Sequence, residues 1–160
     1  FEAALHADKP AYLRLMGSLG SQTIYTDDYC FEIGKPITLR QGGDVQILAT
    51  GTMVSVAIKA ADVLMKNGIN AQVLDVHTIK PFDESCLSSS VKLIVSIEEH
   101  LVSSGLGGVV AFELARRSCH PKFIPLGLKD AYGKVGEYEW LLVNRGLTVE
   151  NLVLQVRDNL

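Results

Sequence analysis

Three short apolar runs, each followed by turn residues and two of them by segments of helical period, constrain this chain more than any other feature. Val45-Gln-Ile-Leu-Ala-Thr50, Ala71-Gln-Val-Leu-Asp-Val-His77 and Lys92-Leu-Ile-Val-Ser-Ile97 are nearly continuous in hydrophobicity rather than alternating. Strands of that kind are buried on both faces, which is the habit of parallel sheets covered by helices. Between the first two runs, Met53–Asn67 places Val54, Ala57, Ile58, Ala61, Val63, Leu64 and Met65 at helical spacing. Lys66-Asn67-Gly68 closes that helix with a basic last turn and a glycine beyond it. Leu106–Ser118 predicts a second helix with Val109, Val110, Phe112, Leu114 and Ala115 inward. Lys122–Leu126 predicts a further strand, at a sheet edge because Pro125 cannot donate to a ladder. Pro36-Ile-Thr-Leu-Arg40 reads as one more strand, joined to Val45–Thr50 by Gln41-Gly42-Gly43-Asp44 as a hairpin. Thr148–Leu160 is an amphipathic helix with Thr148 as N-cap and Glu150 in its first turn. The expected fold is a three-layer α/β domain with a mixed, mostly parallel sheet of about five strands.

The N-terminal part follows other rules. Phe1–Ala7 reads as a helix and Ala11–Leu15 as a short strand. Met16–Gly34, with Gly17, Gly20, Asp27 and Asp28, has no period and suits an inter-domain linker. The chain opens on Phe1 rather than Met, inside that helical stretch, and so reads as part of something longer.

Composition removes several function classes. A net charge of -3 with scattered Lys and Arg lacks the basic footprint of a nucleic-acid binder. No apolar run approaches the ~20 residues that span a bilayer, and the start lacks the layout of a signal peptide. Cys30, Cys86 and Cys119 are odd in number, without CxxC spacing, and read as reduced thiols in a cytoplasmic protein.

Functional groups of an open α/β sheet gather beyond the carboxyl ends of its strands. Three segments fall there: Thr50-Gly51-Thr52, Val76-His77-Thr78, and Glu98-Glu99-His100 with the loop Ser103–Gly108. The glycine loop opens a helix, where backbone N–H groups favour an anion. Its spacing matches neither dinucleotide nor P-loop fingerprints, and two carboxylates precede it, so close helix–sheet packing is the stronger reading. Glu98 and Glu99 cannot line one pocket if the strand continues through them. A carboxylate beside His100 suits acid–base work or a polar strand end that meets a loop or another subunit. His77 with His100 and a Glu would suffice for zinc, yet no HxxxH or HxH spacing supports a metal site. No GxSxG elbow surrounds any Ser or Cys. Asp130–Gly136 reads as a structured turn before the C-terminal helices. The residues contain no complete catalytic constellation; His77, Glu98, Glu99, His100, Gly105 and Gly107 stand as rim or interface candidates.

Several ordered segments carry a family resemblance. They are Pro10–Leu15, Tyr29–Lys35, Asp44-Val-Gln-Ile-Leu-Ala-Thr-Gly51, Asp75-Val-His-Thr-Ile-Lys-Pro81, Glu98-Glu-His100 with Gly105-Leu-Gly107, Leu126-Gly-Leu-Lys-Asp130 and Gly146-Leu-Thr-Val-Glu150. Together they resemble the C-terminal part of transketolase, closest to the separate C-terminal subunit of split bacterial transketolases. The 1-deoxy-xylulose-5-phosphate synthases and 2-oxo acid dehydrogenase beta subunits share much of the pattern. The resemblance implies an enzyme that binds thiamine diphosphate and a divalent metal ion between two domains, usually across a dimer interface, and moves a two-carbon ketol unit between sugar phosphates. It implies that residues 1–34 are the end of a pyrimidine-binding domain plus linker, and that 35–160 form the third, Rossmann-like domain, which supports the dimer. The expected partners are a second copy or a cofactor-binding subunit. The chain alone is then expected to hold no cofactor and to be inactive. Where relatives carry an Arg that holds the substrate phosphate, this chain has Gly17, and the family's GGLG becomes Ser104-Gly-Leu-Gly107. That departure keeps a second expectation open, a non-catalytic interaction module using the Glu98–Gly108 rim.

Overall fold

The computed structural model describes residues 1–15, 23–26 and 28–160. A short helix α1 (Glu2–Leu5) is followed, from residue 37 on, by β1 (Ile37–Arg40), β2 (Val45–Ala49), α2 (Met53–Lys66), β3 (Ala71–Asp75), β4 (Leu93–Leu101), α3 (Leu106–Ala115), β5 (Lys122–Leu128), α4 (Tyr138–Arg145) and α5 (Val149–Asn159). The sheet has the order β1-β3-β2-β4-β5, with β1 antiparallel to β3 and every other pair parallel.

Every residue of β2 is buried because it lies at the centre of the sheet with a helical layer on each face. Val45, Ile47 and Ala49 point to the layer formed by α2 and α5, together with Val73, Val95 and Ile97. Leu48, Leu74 and Ile94 point to the other side and meet Leu106, Val110 and Leu114 of α3. Pro125 sits on the edge strand β5, as its missing N–H requires. Asn67 ends α2 and Gly68 follows at φ 79°, while the Thr148 hydroxyl accepts from Asn151 N at 3.2 Å to cap α5.

The expected hairpin does not form. β1 pairs with β3, not β2, because both edges of β2 are taken by the parallel neighbours β3 and β4. Its connection Gln41–Asp44 instead crosses the start of β3. There Gly43 N and Asp44 N donate to Asn70 O at 3.1 and 3.0 Å, and Asn70 N donates to Asp44 Oδ2 at 2.6 Å. A β-carbon at Gly42 would collide with the Ala71–Gln72 peptide, so the glycine serves the crossing rather than a tight turn.

Other expectations are corrected in detail. Ala11–Leu15 joins no ladder, and Tyr12 and Leu15 are exposed. Val63 and Met65 of α2 and Phe112 and Ala115 of α3 face outward, because these helices carry apolar residues beyond the stripe that meets the sheet. The helix expected over Leu106–Ser118 ends at Ala115. Met16, Gly17, Gly20 and Asp27 of the expected linker lie outside the described residues.

Candidate functional site

The connections after β2 and β4 leave towards opposite faces of the sheet, α2 on one and α3 on the other, so a crevice opens between the carboxyl ends of these two strands. β4 runs on through residues 98–101, and its alternation sends adjacent carboxylates apart.

Glu98 turns inward and is 1% exposed. Its Oε2 accepts from Leu106 N at 2.8 Å and its Oε1 from Gly107 N at 2.7 Å, so the carboxylate closes the N-terminus of α3. The glycines permit this approach. A β-carbon at Gly105 would collide with the Glu98 carboxylate, and one at Gly107 would lie 3.2 Å from its Oε1 and 3.1 Å from Pro125 Cβ. Burial pushes the Glu98 carboxyl above its ordinary range, while the two N–H groups and the charge of Arg14 pull against that rise.

Glu99 turns the other way, and its Oε2 accepts from Thr52 Oγ1 and from Tyr138 OH, both at 2.7 Å. Thr52 stands at the start of α2 and Tyr138 at the start of α4, so one carboxylate oxygen ties two helices to the sheet end. Burial, followed by the bond to Glu99, raises the Tyr138 hydroxyl pKa. Arg14 reaches the same rim: Nη2 donates to Glu99 O at 3.3 Å, and Nη1 lies 3.4 Å from His100 Nδ1.

His77 belongs to a different cluster, one strand over. Its Nδ1 lies 2.8 Å from Thr78 Oγ1, the Phe31 ring packs against it with centroids 4.3 Å apart, and its buried Nε2 has no hydrogen-bond partner among the described residues. Beside it, Tyr25 OH donates to Asp75 Oδ2 at 2.5 Å, and the Tyr25 and Tyr29 rings stack at 4.0 Å. Burial raises the Asp75 carboxyl, with the Tyr25 bond and the His77 charge acting in the opposite direction. These contacts seat Tyr25, Tyr29 and Phe31 at the end of β3.

The six rim candidates thus divide. Glu98, Gly105 and Gly107 form the buried cap, Glu99 and His100 lie at the open end of β4 where Arg14 reaches them, and His77 stands apart. Thr52 had a sequence signal in its position just after an apolar strand. Arg14 and Tyr138 had none, being 85 and 39 residues from their partner Glu99. Among the described residues no group of three or more His, Cys, Asp and Glu side chains forms a metal-ligand set. The anion position at the start of α3 is filled by the chain's own carboxylate. The start of α3 therefore offers no open place for a diphosphate, and the bonds of Glu98 and Glu99 hold elements and segments in place.

Comparison with known proteins decides the family. Residues 34–152 match the model described as "Transketolase, C-terminal domain". The chain belongs to the transketolase C-terminal domain family. A 6-deoxy-6-sulfo-D-fructose transketolase subunit, SqwH, of Clostridium sp. (strain MSTE9) is 40% identical over 156 residues, covering 96% of this chain and 48% of its own length. A 1-deoxy-D-xylulose-5-phosphate synthase of Pelotomaculum thermopropionicum is 32% identical over 162 residues, covering 97% of this chain and 25% of the synthase. A split-gene transketolase, solved as an inactive beta4 tetramer, superposes with a TM-score of 0.80 at 34% identity over 88% of this chain and 46% of that one. The chain thus spans about half the length, or less, of the relatives it matches. The resemblance read from the ordered motifs, and the Rossmann-like α/β fold it implies, both hold for this transketolase C-terminal domain. Among the described residues no helix is long and apolar enough to cross a membrane.

Proposed function

We propose that this chain is the C-terminal domain of a thiamine-diphosphate-dependent transketolase, giving subunit contacts and support while other parts of the enzyme hold the cofactor. The observation that carries the reading is the match of residues 34–152 together with near-complete coverage of this chain by a transketolase subunit of twice its length. Residues 1–34 are then the end of the pyrimidine-binding domain and its linker, and residues 35–160 the third domain. The filled α3 terminus supports placing thiamine diphosphate and its divalent ion elsewhere, and the three free cysteines accord with a cytoplasmic enzyme. The partners of this reading are a second copy or a cofactor-binding subunit, with sugar phosphates as substrates of the assembled enzyme.

The test uses the whole protein that carries these residues, supplied with a cofactor-binding transketolase subunit where it lacks that part itself. It is expected to move a two-carbon ketol unit between sugar phosphates only with thiamine diphosphate and a divalent ion present. The 160 residues alone are expected to give no heat of thiamine diphosphate binding in calorimetry. Tight binding by the chain alone, or no transfer by the assembled protein, overturns the reading. One sequence observation favours a non-catalytic interaction module on the same fold: Gly17 stands where the family pattern has its phosphate-holding Arg. The same transfer assay separates the two.

A further inference from the structure

We propose that the crevice between the carboxyl ends of β2 and β4 is a docking site for the segment preceding the domain, with the Arg14 guanidinium as the group it recognises. Open α/β sheets take their ligands in this crevice. Here a side chain of the same polypeptide reaches the exposed end of β4 beside it, with Nη2 on the Glu99 carbonyl oxygen at 3.3 Å and Nη1 at 3.4 Å from His100 Nδ1. A guanidinium only donates, so His100 Nδ1 is the acceptor in this contact. The carboxylates of Glu98 and Glu99 supply negative charge on either side of the strand, and Arg14 is one of the charges that stabilise ionised Glu98.

The receiving surface is built before Arg14 arrives. Glu98 is fixed by two backbone N–H groups, and Glu99 by the Thr52 and Tyr138 hydroxyls, so its peptide carbonyl has a set direction. Such preorganisation lowers the ordering cost of docking. The docked segment, in contrast, joins no sheet: residues 11–15 form no ladder, and Tyr12 is 90% exposed. The guanidinium is what brings that exposed segment onto the domain. The proposal rests on the transketolase reading only for what the segment belongs to; there it would fix the angle between the pyrimidine-binding domain and this one.

Limited trypsin digestion of the full chain tests the latch directly, because the sequence isolates the reporter. Up to residue 39 the basic residues are Lys9, Arg14 and Lys35; the first and last precede Pro, which leaves Arg14–Leu15 as the cleavable bond. The enzyme must take the Arg14 side chain, so the docked state is protected. Its rate is referred to the cut after Lys134, whose neighbour Val135 is fully exposed. His100→Ala is expected to speed cleavage at Arg14 about fivefold relative to that reference, as for the loss of one ordinary solvent-exposed hydrogen bond. His100→Asn, whose Oδ1 stands in for Nδ1 as acceptor, is expected to cleave like the wild type. As a second variant outside the domain core, Arg14→Ala is expected to speed chymotryptic cleavage after Tyr12 by a similar factor. Unchanged relative rates in His100→Ala or in Arg14→Ala overturn the proposal. Ketol transfer is not the readout, so the latch can fail while the transketolase reading stands, and the reverse.

Discussion

Glu98 and Gly105 should behave as one structural unit, and a double-mutant cycle measures this. Glu98→Ala removes the acceptor of two backbone N–H groups, those of Leu106 and Gly107, at a site where the side chain is 1% exposed. An unsatisfied buried donor costs about 1–3 kcal/mol, so the variant should lose roughly 2–6 kcal/mol, towards the lower end where water enters the vacated space. Gly105→Ala acts on the same bonds from the other side. Its β-carbon takes the place of the carboxylate and drives Glu98 off the helix terminus, while the backbone angle of φ -104° suits alanine. The three atoms nearest to the new methyl all belong to Glu98. In the Glu98→Ala background Gly105→Ala should therefore be close to neutral, and the coupling energy should match the cost of Gly105→Ala alone. Urea unfolding of the full chain followed by circular dichroism gives the four stabilities. In a domain of this size each kcal/mol should also shift the melting temperature by roughly 2–4 °C. Additive costs within ~0.5 kcal/mol would refute the reasoning, since sites with no shared partner add to about that accuracy.

Three further outcomes follow from the same geometry. Burial holds the Asp75 carboxyl above its ordinary range, so its contribution to stability is present below about pH 4 and is lost as pH rises through the raised folded value. The stability of the wild type relative to Asp75→Asn, whose Oδ1 still accepts from Tyr25, should fall over that rise in urea midpoints taken against pH; an increase would contradict the burial argument. Gly42→Ala should cost ~1–3 kcal/mol or more in the same unfolding assay, because the new methyl meets the Ala71–Gln72 peptide and not a side chain that can turn away. Cys30 and Cys119 are exposed, whereas burial pushes the Cys86 thiol up to about 12. A thiol reagent should therefore label two cysteines in the native chain and the third only on unfolding; rapid labelling of all three would exclude this packing.

The parts of the fold legible in the sequence are those governed by local patterns. Val45–Thr50, Ala71–His77 and Lys92–Ile97 announce buried strands because a doubly covered strand has no polar face. Pro125 marks an edge because a missing N–H has one consequence wherever the strand lies. Pairing is a different kind of information. Gln41-Gly42-Gly43-Asp44 has hairpin chemistry, yet the turn residues serve a crossing over Asn70, a partner 26 residues beyond Asp44. Helix faces failed in one physical circumstance. Leu106–Ala115 is apolar around most of its circumference, so its periodicity marked Val110 and Leu114 correctly but could not reveal that Leu106 joins them while Phe112 and Ala115 face outward.

The site divides along the same line. Strand alternation sufficed to separate Glu98 from Glu99, while the groups that each carboxylate holds come from elsewhere in the chain and leave no local mark. The glycine loop makes the point most sharply. Close helix–sheet packing and an anion at the start of α3 are competing readings of Ser103–Gly108 as long as the anion is imagined to come from outside. Once Glu98 supplies it, the two are one arrangement: the glycines are small because a carboxylate from the neighbouring strand must lie against them, and that carboxylate is there because the helix start presents two N–H groups. The same pairing accounts for a buried ionisable residue beside a glycine motif without any ligand. It leaves external recognition to the exposed end of β4, where the Glu99 carbonyl and His100 receive Arg14.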